Sequence, residues 1–565
     1  MDSRSLPFLT VRGVQAMKIL ARTLTHRRRL WALFALVGII SATAGGWVLW
    51  RRWQNSGRPQ PLPQDPQIQV YFNHNQAQGA DYREADRGIR RRGDNLEDLI
   101  LKTLDSATAS IDLAVQELRL PRIAQKLVEK QQQGVKVRVV LEHQYNSPIQ
   151  TAPAGGDKEG ESDRSQDLVA FIDQNGDGQI GAEESRARDA VQILRDGQVP
   201  LIDDREDGSK GTGLMHHKFV VVDGQTLIVT SANFTPSDQH GDFLKPETRG
   251  NANNFLLINS PQLAQIFTQE FNFLWGDGPA GAKNSLFGIN KPKRAPQTVA
   301  VGQGWVTVKF SPDSRKVPWG ETSNGLIARY LNAAQSSVNL ALFVFSEQRL
   351  ADTLQAPFRR GAGVKALIDP GFAYRYYSEG LDLLGVTLLE KCRPEAENQP
   401  WPYPSQFVGI PALAEGDKLH HKFALLDNLT VITGSHNWSP SANLQNDETV
   451  LIIQNPTVGA HYQREFERLE AEAEWGVPSW LRRKMEDQQK TCALPSSAPV
   501  TTSQTVNLNS AGQKELESLP GIGPRLAQRL MEARRERPFT GLEDLERVPG
   551  FKKGKIEALR GRVTW

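Results

Sequence analysis

The sequence predicts an α/β protein. Two related lobes of mixed sheet flanked by helices form an internal pseudo-dimer, with a small all-α domain behind them and a transmembrane helix in front. Three observations carry this prediction: a helix–strand pattern written twice mid-chain, two glycine-centred hairpins near the C-terminus, and a 21-residue run without charge near the N-terminus. At 565 residues the chain exceeds one ordinary domain. Its 39% hydrophobic and 23% charged residues suit a folded protein rather than a disordered one. The net charge of +3 says little about partners, but its distribution says more: Thr505 to Trp565 holds 12 Lys/Arg against 8 Asp/Glu. Only Cys392 and Cys492 are present, so no C-x2-C zinc site exists. The two fit either one disulfide in an oxidising compartment or two free thiols.

Leu30 to Trp50 is long enough to cross a bilayer core as a helix. Seven Lys/Arg and one acidic residue precede it, ending in Arg27-Arg28-Arg29, while Arg51 and Arg52 follow. Positive charge stays cytoplasmic, so the bulk of the chain is expected outside the cytoplasm. The rival reading is a cleaved signal sequence with Ala42-Thr43-Ala44 as the small-residue site. Both readings predict export, and they differ in whether the protein stays tethered to the membrane.

The repeat decides the fold of the middle. Leu99 to Leu104, Ala107 and Ser110 to Ala114 match Leu326 to Leu331, Ala334 and Ser337 to Ala341. Each copy reads as an amphipathic helix feeding a strand. A second helical stretch follows, and Gly134-Val135-Lys136 and Gly363-Val364-Lys365 then open another apolar strand. Strands alternating with helices imply an α/β unit. Each copy closes on the same signature at the same spacing. The first is His216-x-Lys218-x4-Asp223 followed by Ser231-x-Asn233; the second is His420-x-Lys422-x4-Asp427 followed by Ser435-x-Asn437.

With these paired motifs, about Gln67 to Gly476 resembles the phospholipase D superfamily. On a strand, alternate side chains share a face, so His216 sits with Lys218 and His420 with Lys422. Asp223-Gly224 and Asp427-Asn428 read as tight turns into a returning strand. Ser231 with Asn233, and Ser435 with Asn437, then join the same faces. The neighbours His217 and His421 point the other way and are given no chemistry. A phosphodiester needs a nucleophile, a proton for the leaving oxygen and charge stabilisation at the nonbridging oxygens. The resemblance implies that one histidine attacks phosphorus, giving a phosphohistidine, while the other protonates the leaving group and then activates water. By that analogy His216 attacks, Lys218, Lys422, Asn233 and Asn437 clamp the oxygens, and Asp223, Asp427, Ser231, Ser435 and Glu448 complete the catalytic set. The two imidazole pKa values are expected to be pushed apart. Catalysis needs no cofactor. The family also carries a downstream carboxylate that orients a histidine. Glu448 matches it, but Asn253 stands at the equivalent place in the first lobe, and Thr230 replaces a family glycine.

An insertion in the first lobe contains Asp173, Asn175, Asp177, Gln179 and Glu184 around Gly178. It resembles an EF-hand loop, with helices expected at Ser165 to Ile172 and Glu183 to Arg195. The resemblance implies a calcium ion that braces the fold.

Beyond a Pro/Ser/Thr-rich linker, Leu519-Pro520-Gly521-Ile522-Gly523-Pro524 lies between candidate helices, and Val548-Pro549-Gly550-Phe551-Lys552 repeats it. This region resembles the tandem helix-hairpin-helix domain of competence-type DNA receptors. The resemblance implies DNA phosphate held at Gly521, Ile522 and Gly523, with Arg525, Lys552, Lys553 and Lys555 adding salt-dependent attraction.

The boundaries are a basic segment 1–29, the anchor or signal 30–50, a linker 51–66 and a first lobe 67–278 with its insertion at about 165–195. An interlobe linker 279–304, a second lobe 305–480, a linker 481–505 and the hairpin domain 506–565 follow. The expected protein is a membrane-anchored or secreted phosphodiesterase, a monomer with an internal pseudo-two-fold, that cuts nucleic acid and holds DNA with its C-terminal domain. Two rivals stand beside it. One is a phospholipase D or cardiolipin-synthase-like transferase acting on phospholipid; the other is a DNA-uptake binding protein with a vestigial core.

Overall fold

The computed structural model describes residues 57–149, 161–205, 213–492, 506–517, 519, 522–551, 555–556, 559 and 562–565. The N-terminal apolar segment lies outside them. Among the described residues no helix is long and apolar enough to cross a membrane.

The first lobe is built on seven strands: β1 (Ile68–Phe72), β2 (Ser110–Val115), β3 (Lys136–Leu141), β4 (Leu201–Asp203), β5 (Lys218–Val222), β6 (Thr226–Thr230) and β7 (Asn254–Asn259). They lie in the order β1-β7-β6-β5-β2-β3-β4. Pairing is parallel from β2 through β3 to β4 and antiparallel elsewhere.

The second lobe has nine strands: β8 (Gln297–Val301), β9 (Gly304–Ser311), β10 (Ser337–Leu342), β11 (Gly363–Ile368), β12 (Val408–Ile410), β13 (Lys422–Leu426), β14 (Thr430–Gly434), β15 (Glu448–Gln454) and β16 (Glu474–Trp475). Their order is β8-β9-β15-β14-β13-β10-β11-β12-β16. Stripped of its two edge strands, this sheet repeats the first strand for strand. The duplication read in the sequence is therefore a duplication of topology. Strand β8 falls inside the stretch expected to be an interlobe linker; it pairs with β9 and extends the second sheet. The 51–66 linker also ends docked, because buried Asp65 accepts from Gln67, Ile68, Gln303 and Asn455. The 481–505 linker begins as a helix, Ser479–Thr491.

Both faces of each sheet are covered, which is why β5 (KFVVV) and β13 (KFALL) are buried along their whole length. Helices α1 (Leu96–Asp105) and α2 (Pro121–Gln132) cover the outer face of the first sheet. Helix α1 is started by Asn95, whose side chain accepts from Asp98 N. The inner faces share one core, in which Phe219, Phe267 and Leu227 from the first lobe meet Phe423, Val431 and Ile453 from the second. Burying each such side chain contributes about 1.5–3 kcal/mol. The lobes accordingly form one compact unit ending at Arg482. The two long helices flanking this core, Pro261–Trp275 and Pro456–Glu470, open the same way. Ser260 or Asn455 caps the helix and a proline occupies its first turn.

The insertion carries α3 (Glu161–Ile172), then the loop, then α4 (Ala182–Arg188) and α5 (Ala190–Asp196). The single helix expected from Glu183 to Arg195 is thus broken at Asp189, which caps α5 by accepting from Val191 N and Gln192 N. Neither cysteine is free; Cys392 and Cys492 are both disulfide-bonded.

The second compact unit runs from Arg483. Its core gathers Leu516, Ile522, Leu526, Leu530, Phe539 and Leu559, and Val506–Asn507 pairs in parallel with Val563–Thr564. Its long helix, Pro524–Glu536, has Gly523 at its N-cap and proline in the first turn.

Candidate active site

The strands explain the motif spacing. Positive φ angles at Asp223 and Gly224, and at Asp427 and Asn428, turn β5 into β6 and β13 into β14 through three-residue loops, 223–225 and 427–429. His216 with Lys218 and His420 with Lys422 then lie at the far ends of these hairpins. That end is where the two lobes join, reciprocally. His216 N donates to Asp447 O (3.0 Å) and Asp447 N to Leu214 O (2.8 Å); His420 N donates to Ala252 O (3.0 Å) and Ala252 N to Lys418 O (2.7 Å). Both imidazoles are buried at this junction, 6% and 7% exposed.

Each imidazole is oriented from the opposite lobe. His216 Nδ1 bonds Glu448 Oε2 at 2.7 Å, and His420 Nδ1 bonds Asn253 Oδ1 at 3.0 Å. Nε2 of each ring is left for chemistry. Ser435 Oγ donates to Glu448 and Ser231 Oγ to Asn253, both at 2.7 Å. The two serines were expected beside the phosphate. They brace the orienting side chains instead.

The ammonium groups sit below. Lys218 Nζ donates to His216 O (3.0 Å) and Gln116 Oε1 (3.2 Å), and Lys422 Nζ to His420 O (2.7 Å) with the Phe343 ring 4.8 Å away. Burial pushes Lys218 down to about 8 and Lys422 well below its ordinary value, the latter aided by Lys218. The Oδ1 atoms of Asn233 and Asn437 are buried without a hydrogen-bond partner. An anion entering here meets two ammoniums.

Burial, then Lys218 and Lys422, holds His216 well below its ordinary pKa; burial, Lys422 and Lys218 do the same to His420. Both shift the same way, so the direction of the shifts alone does not set the two rings apart. The asymmetry lies in the partners, a carboxylate for one ring and an amide for the other. Burial raises Glu448, opposed by His436 and Lys218.

Asp223 and Asp427 were expected among the catalytic groups, and the structure places both at the hairpin turns. Asp223 sits at the turn and accepts from Thr108 N, Ala109 N and Ser110 N; Asp427 accepts from Gln335 N, Ser336 N and Ser337 N. They pin the hairpin to the start of the adjacent strand. These amide donors outweigh burial and depress both carboxyl pKa values. The stability they contribute is present above the ordinary carboxylate range and is lost as pH falls through the depressed values. Asp223→Ala is expected to cost about 1–2 kcal/mol in urea unfolding, with kcat within roughly threefold. A kcat loss above a hundredfold in a folded variant would return Asp223 to the catalytic set.

The departure at Thr230 is also explained. Gly434 adopts φ +131°, and a Cβ there would run into the Thr449 carbonyl. Thr230 escapes this, its hydroxyl donating to Asn254 O at 2.6 Å. His217 and His421 do face away. They bond Glu270 (3.0 Å) and Glu465 (2.9 Å) on the helices of the shared core.

Several residues of the site were invisible to motif reading. Glu142 and Asp369 accept from Met215 N (2.6 Å) and Leu419 N (2.9 Å), fixing the approach to each histidine. A cleft of about 520 Å³ opens onto His420, and Asn233, Asp238, Phe343 and Lys418 line it. Helix α3 of the insertion forms one wall, with Arg164 paired to Glu117 and Asp167 Oδ1 accepting from Leu244 N at 2.8 Å. The only sequence signal for this was the insertion's place between β3 and the first histidine motif.

In the insertion loop, Asp173 accepts from Gly176 N and Gly178 N, Asn175 from Asp177 N, and Asp177 from Gln179 N. Glu184 accepts from Gln174 N, Asn175 N and Gly181 N. The donors are hard oxygens, the set calcium takes, but here they bond the loop's own backbone. Among the described residues no three acidic or imidazole side chains are grouped to hold a metal.

In the second unit, Gly521, Lys552 and Lys553 lie outside the described residues. Gly523 stands open at the helix N-terminus, Arg525 is exposed and Lys555 is half-buried. Ile522 was expected at a phosphate. It is 4% exposed in the core, and its N–H donates to Leu519 O.

The chain is similar to known proteins in both of its parts. Residues 100–275 and 327–470 match the family model described as cardiolipin synthase, PLD-like domain, and residues 501–564 match the helix-hairpin-helix motif. The mitochondrial cardiolipin hydrolase of Canis lupus familiaris is 31% identical over 153 residues, 27% of this chain. The match spans about half, 52%, of that relative's length. Among solved structures, phosphatidylserine synthase of Haemophilus influenzae aligns over 78% of this chain and 97% of its own at 12% identity and TM-score 0.45. Nuc of Salmonella typhimurium, a phospholipase D family member, aligns over 31% of this chain and 100% of its own at 20% identity and TM-score 0.24.

Proposed function

The chain belongs to the PLD-like domain family, and from that premise we propose that it is a phosphodiesterase of the phospholipase D superfamily, an exported nuclease working through a phosphohistidine on His216. The observation that carries the nuclease reading is the helix-hairpin-helix motif on the same chain as the phosphodiesterase lobes. Such motifs offer backbone N–H groups at a helix N-terminus to nucleic-acid phosphate, and a lipid enzyme has no evident use for one. Export is supported by the basic-flanked apolar segment and by two bonded cysteines, which suit an oxidising compartment. Calcium at the 173–184 loop belongs to the same reading, as a brace that keeps α3 against the cleft and takes no part in the chemistry.

Phospholipid is the second substrate class, favoured by the similarity to mitochondrial cardiolipin hydrolase. One experiment separates the two. The purified chain is incubated with DNA, and separately with cardiolipin and phosphatidylcholine vesicles, each with and without EDTA and alongside His420→Ala. DNA cleavage that survives EDTA and is lost in the variant is the expected result, with EDTA lowering the melting temperature only. Lipid turnover without DNA cleavage overturns the substrate assignment.

A further inference from the structure

We propose that Asp238 is a positioning residue for His420, supplying through the amide of Asn253 the carboxylate charge that Glu448 supplies directly to His216. The inference rests on the phosphodiesterase reading of the site and is independent of whether the substrate is nucleic acid or lipid.

The two lobes make the case by comparison. After the motif asparagines the chain reads Asn233-Phe234-Thr235-Pro236-Ser237-Asp238 in the first lobe and Asn437-Trp438-Ser439-Pro440-Ser441-Ala442 in the second. A carboxylate at 238 therefore faces an alanine at 442, while the glutamate at 448 faces the asparagine at 253. The negative charge has moved along the loop and has not been lost.

Its geometry fits a relay. Asn253 Oδ1 accepts from Ser231 Oγ (2.7 Å) and His420 Nδ1 (3.0 Å), so its Nδ2 must face the other way. There it donates to Asp238 O (3.0 Å) and Asp238 Oδ1 (3.2 Å). Asp238 Oδ1 itself lies 3.4 Å from His420 Nδ1. The carboxylate is fixed in place, with Oδ2 accepting from Asn233 N (3.1 Å) and Oδ1 from Asn251 Nδ2 (2.9 Å). Asp238 is 4% exposed and Asn253 fully buried. An amide whose N–H donates to a buried carboxylate carries a more negative oxygen, and so holds an imidazolium better than an isolated amide would.

His420 needs this help. Lys422, Lys218, His216 and Lys418 all face it and oppose its protonation; Asp369 offsets Lys418 and Lys422, and Glu448 offsets Lys422. In the first step a bond forms between His216 Nε2 and phosphorus as the P–O bond to the leaving group breaks. The leaving oxygen keeps the electron pair and takes the Nε2 proton of His420. In the second step His420 Nε2 accepts a proton from water as the new O–P bond forms and the N–P bond breaks. His420 thus alternates between imidazolium and imidazole, and Asp238 stabilises the charged form.

The test uses the full chain with bis(p-nitrophenyl) phosphate and with diphenyl phosphate, whose leaving group depends more on a donated proton. Asp238→Asn is expected to lower kcat roughly 10- to 100-fold with KM little changed, and more severely for diphenyl phosphate. Removing the charge lowers the His420 pKa, so the basic limb of the kcat–pH profile moves to lower pH. Moving the charge next to the ring, in D238N/N253D, restores kcat to within roughly tenfold of the parent protein. An unchanged kcat and limb in D238N, an equal loss with both substrates, or no recovery in the swap overturns the proposal. In the unsubstituted protein, 15N spectra must show His420 as the Nδ1–H tautomer. That reading stands if D238N fails to fold, and an Nε2–H tautomer there also overturns the relay. Absence of any phosphodiester cleavage by the parent protein sinks the functional assignment instead, while the tautomer still reports on the relay.

Discussion

His216→Ala will abolish the covalent intermediate and nearly all turnover, whereas His420→Ala will slow turnover while letting the intermediate accumulate from a substrate whose leaving group needs no donated proton. Each kcat should fall by roughly 10⁴-fold, as when a member of a catalytic unit is removed. The difference follows from the partners. The phosphorylated imidazole carries positive charge, and His216 alone has a carboxylate, Glu448, directly on Nδ1 at 2.7 Å to stabilise it. Quench of a single turnover with 32P-labelled substrate in alkaline denaturant, where the P–N bond survives, followed by gel filtration in the same denaturant, reads protein-bound phosphate directly. Label retained by His216→Ala and missing from His420→Ala would exchange the two roles.

Removing one buried carboxylate behind the site will cost more stability than any surface change. Glu270 is fully buried and bonds His217, Lys291 and Arg294, and Lys291 also pairs with Asp447 at 2.6 Å. Glu270→Ala leaves two cations and an imidazole in the shared core with one counter-charge, expected to cost about 3–5 kcal/mol. The urea midpoint should fall accordingly with the slope unchanged. A loss under about 1 kcal/mol would show that water reaches these groups. The second lobe mirrors the arrangement. Burial would raise Glu465, but Arg468 and His421 bring it down to about 2. Its contribution is thus present above the ordinary carboxylate range and lost as pH falls through about 2.

The sequence made the duplication, the hairpins and the face shared by His216 and Lys218 legible, because all three are local periodicities. What crosses between lobes was not. The match of Glu448 to Asn253 was readable, yet nothing local says that Glu448 serves His216 of the other lobe. Asp238 lies in a stretch with no motif spacing and becomes visible only through its 3.4 Å approach to His420. Asp223 misled for the opposite reason, since a fixed spacing to the histidine reflects the length of one strand and its turn. Ile522 failed similarly, because a hairpin motif contains core side chains along with the amides it presents.

The crossed orientation of the two histidines has a consequence for how such a protein can diverge. Two identical subunits related by a true two-fold would give both rings the same partner, and any change would strike both at once. Joined in a single polypeptide, the halves are free to differ: one keeps Glu448 while the other substitutes Asn253, and Gln116 beside one lysine becomes Phe343 beside its counterpart. Fusion is what permits a donor and an attacker to specialise, and neither half separated from its sibling retains an aligned imidazole.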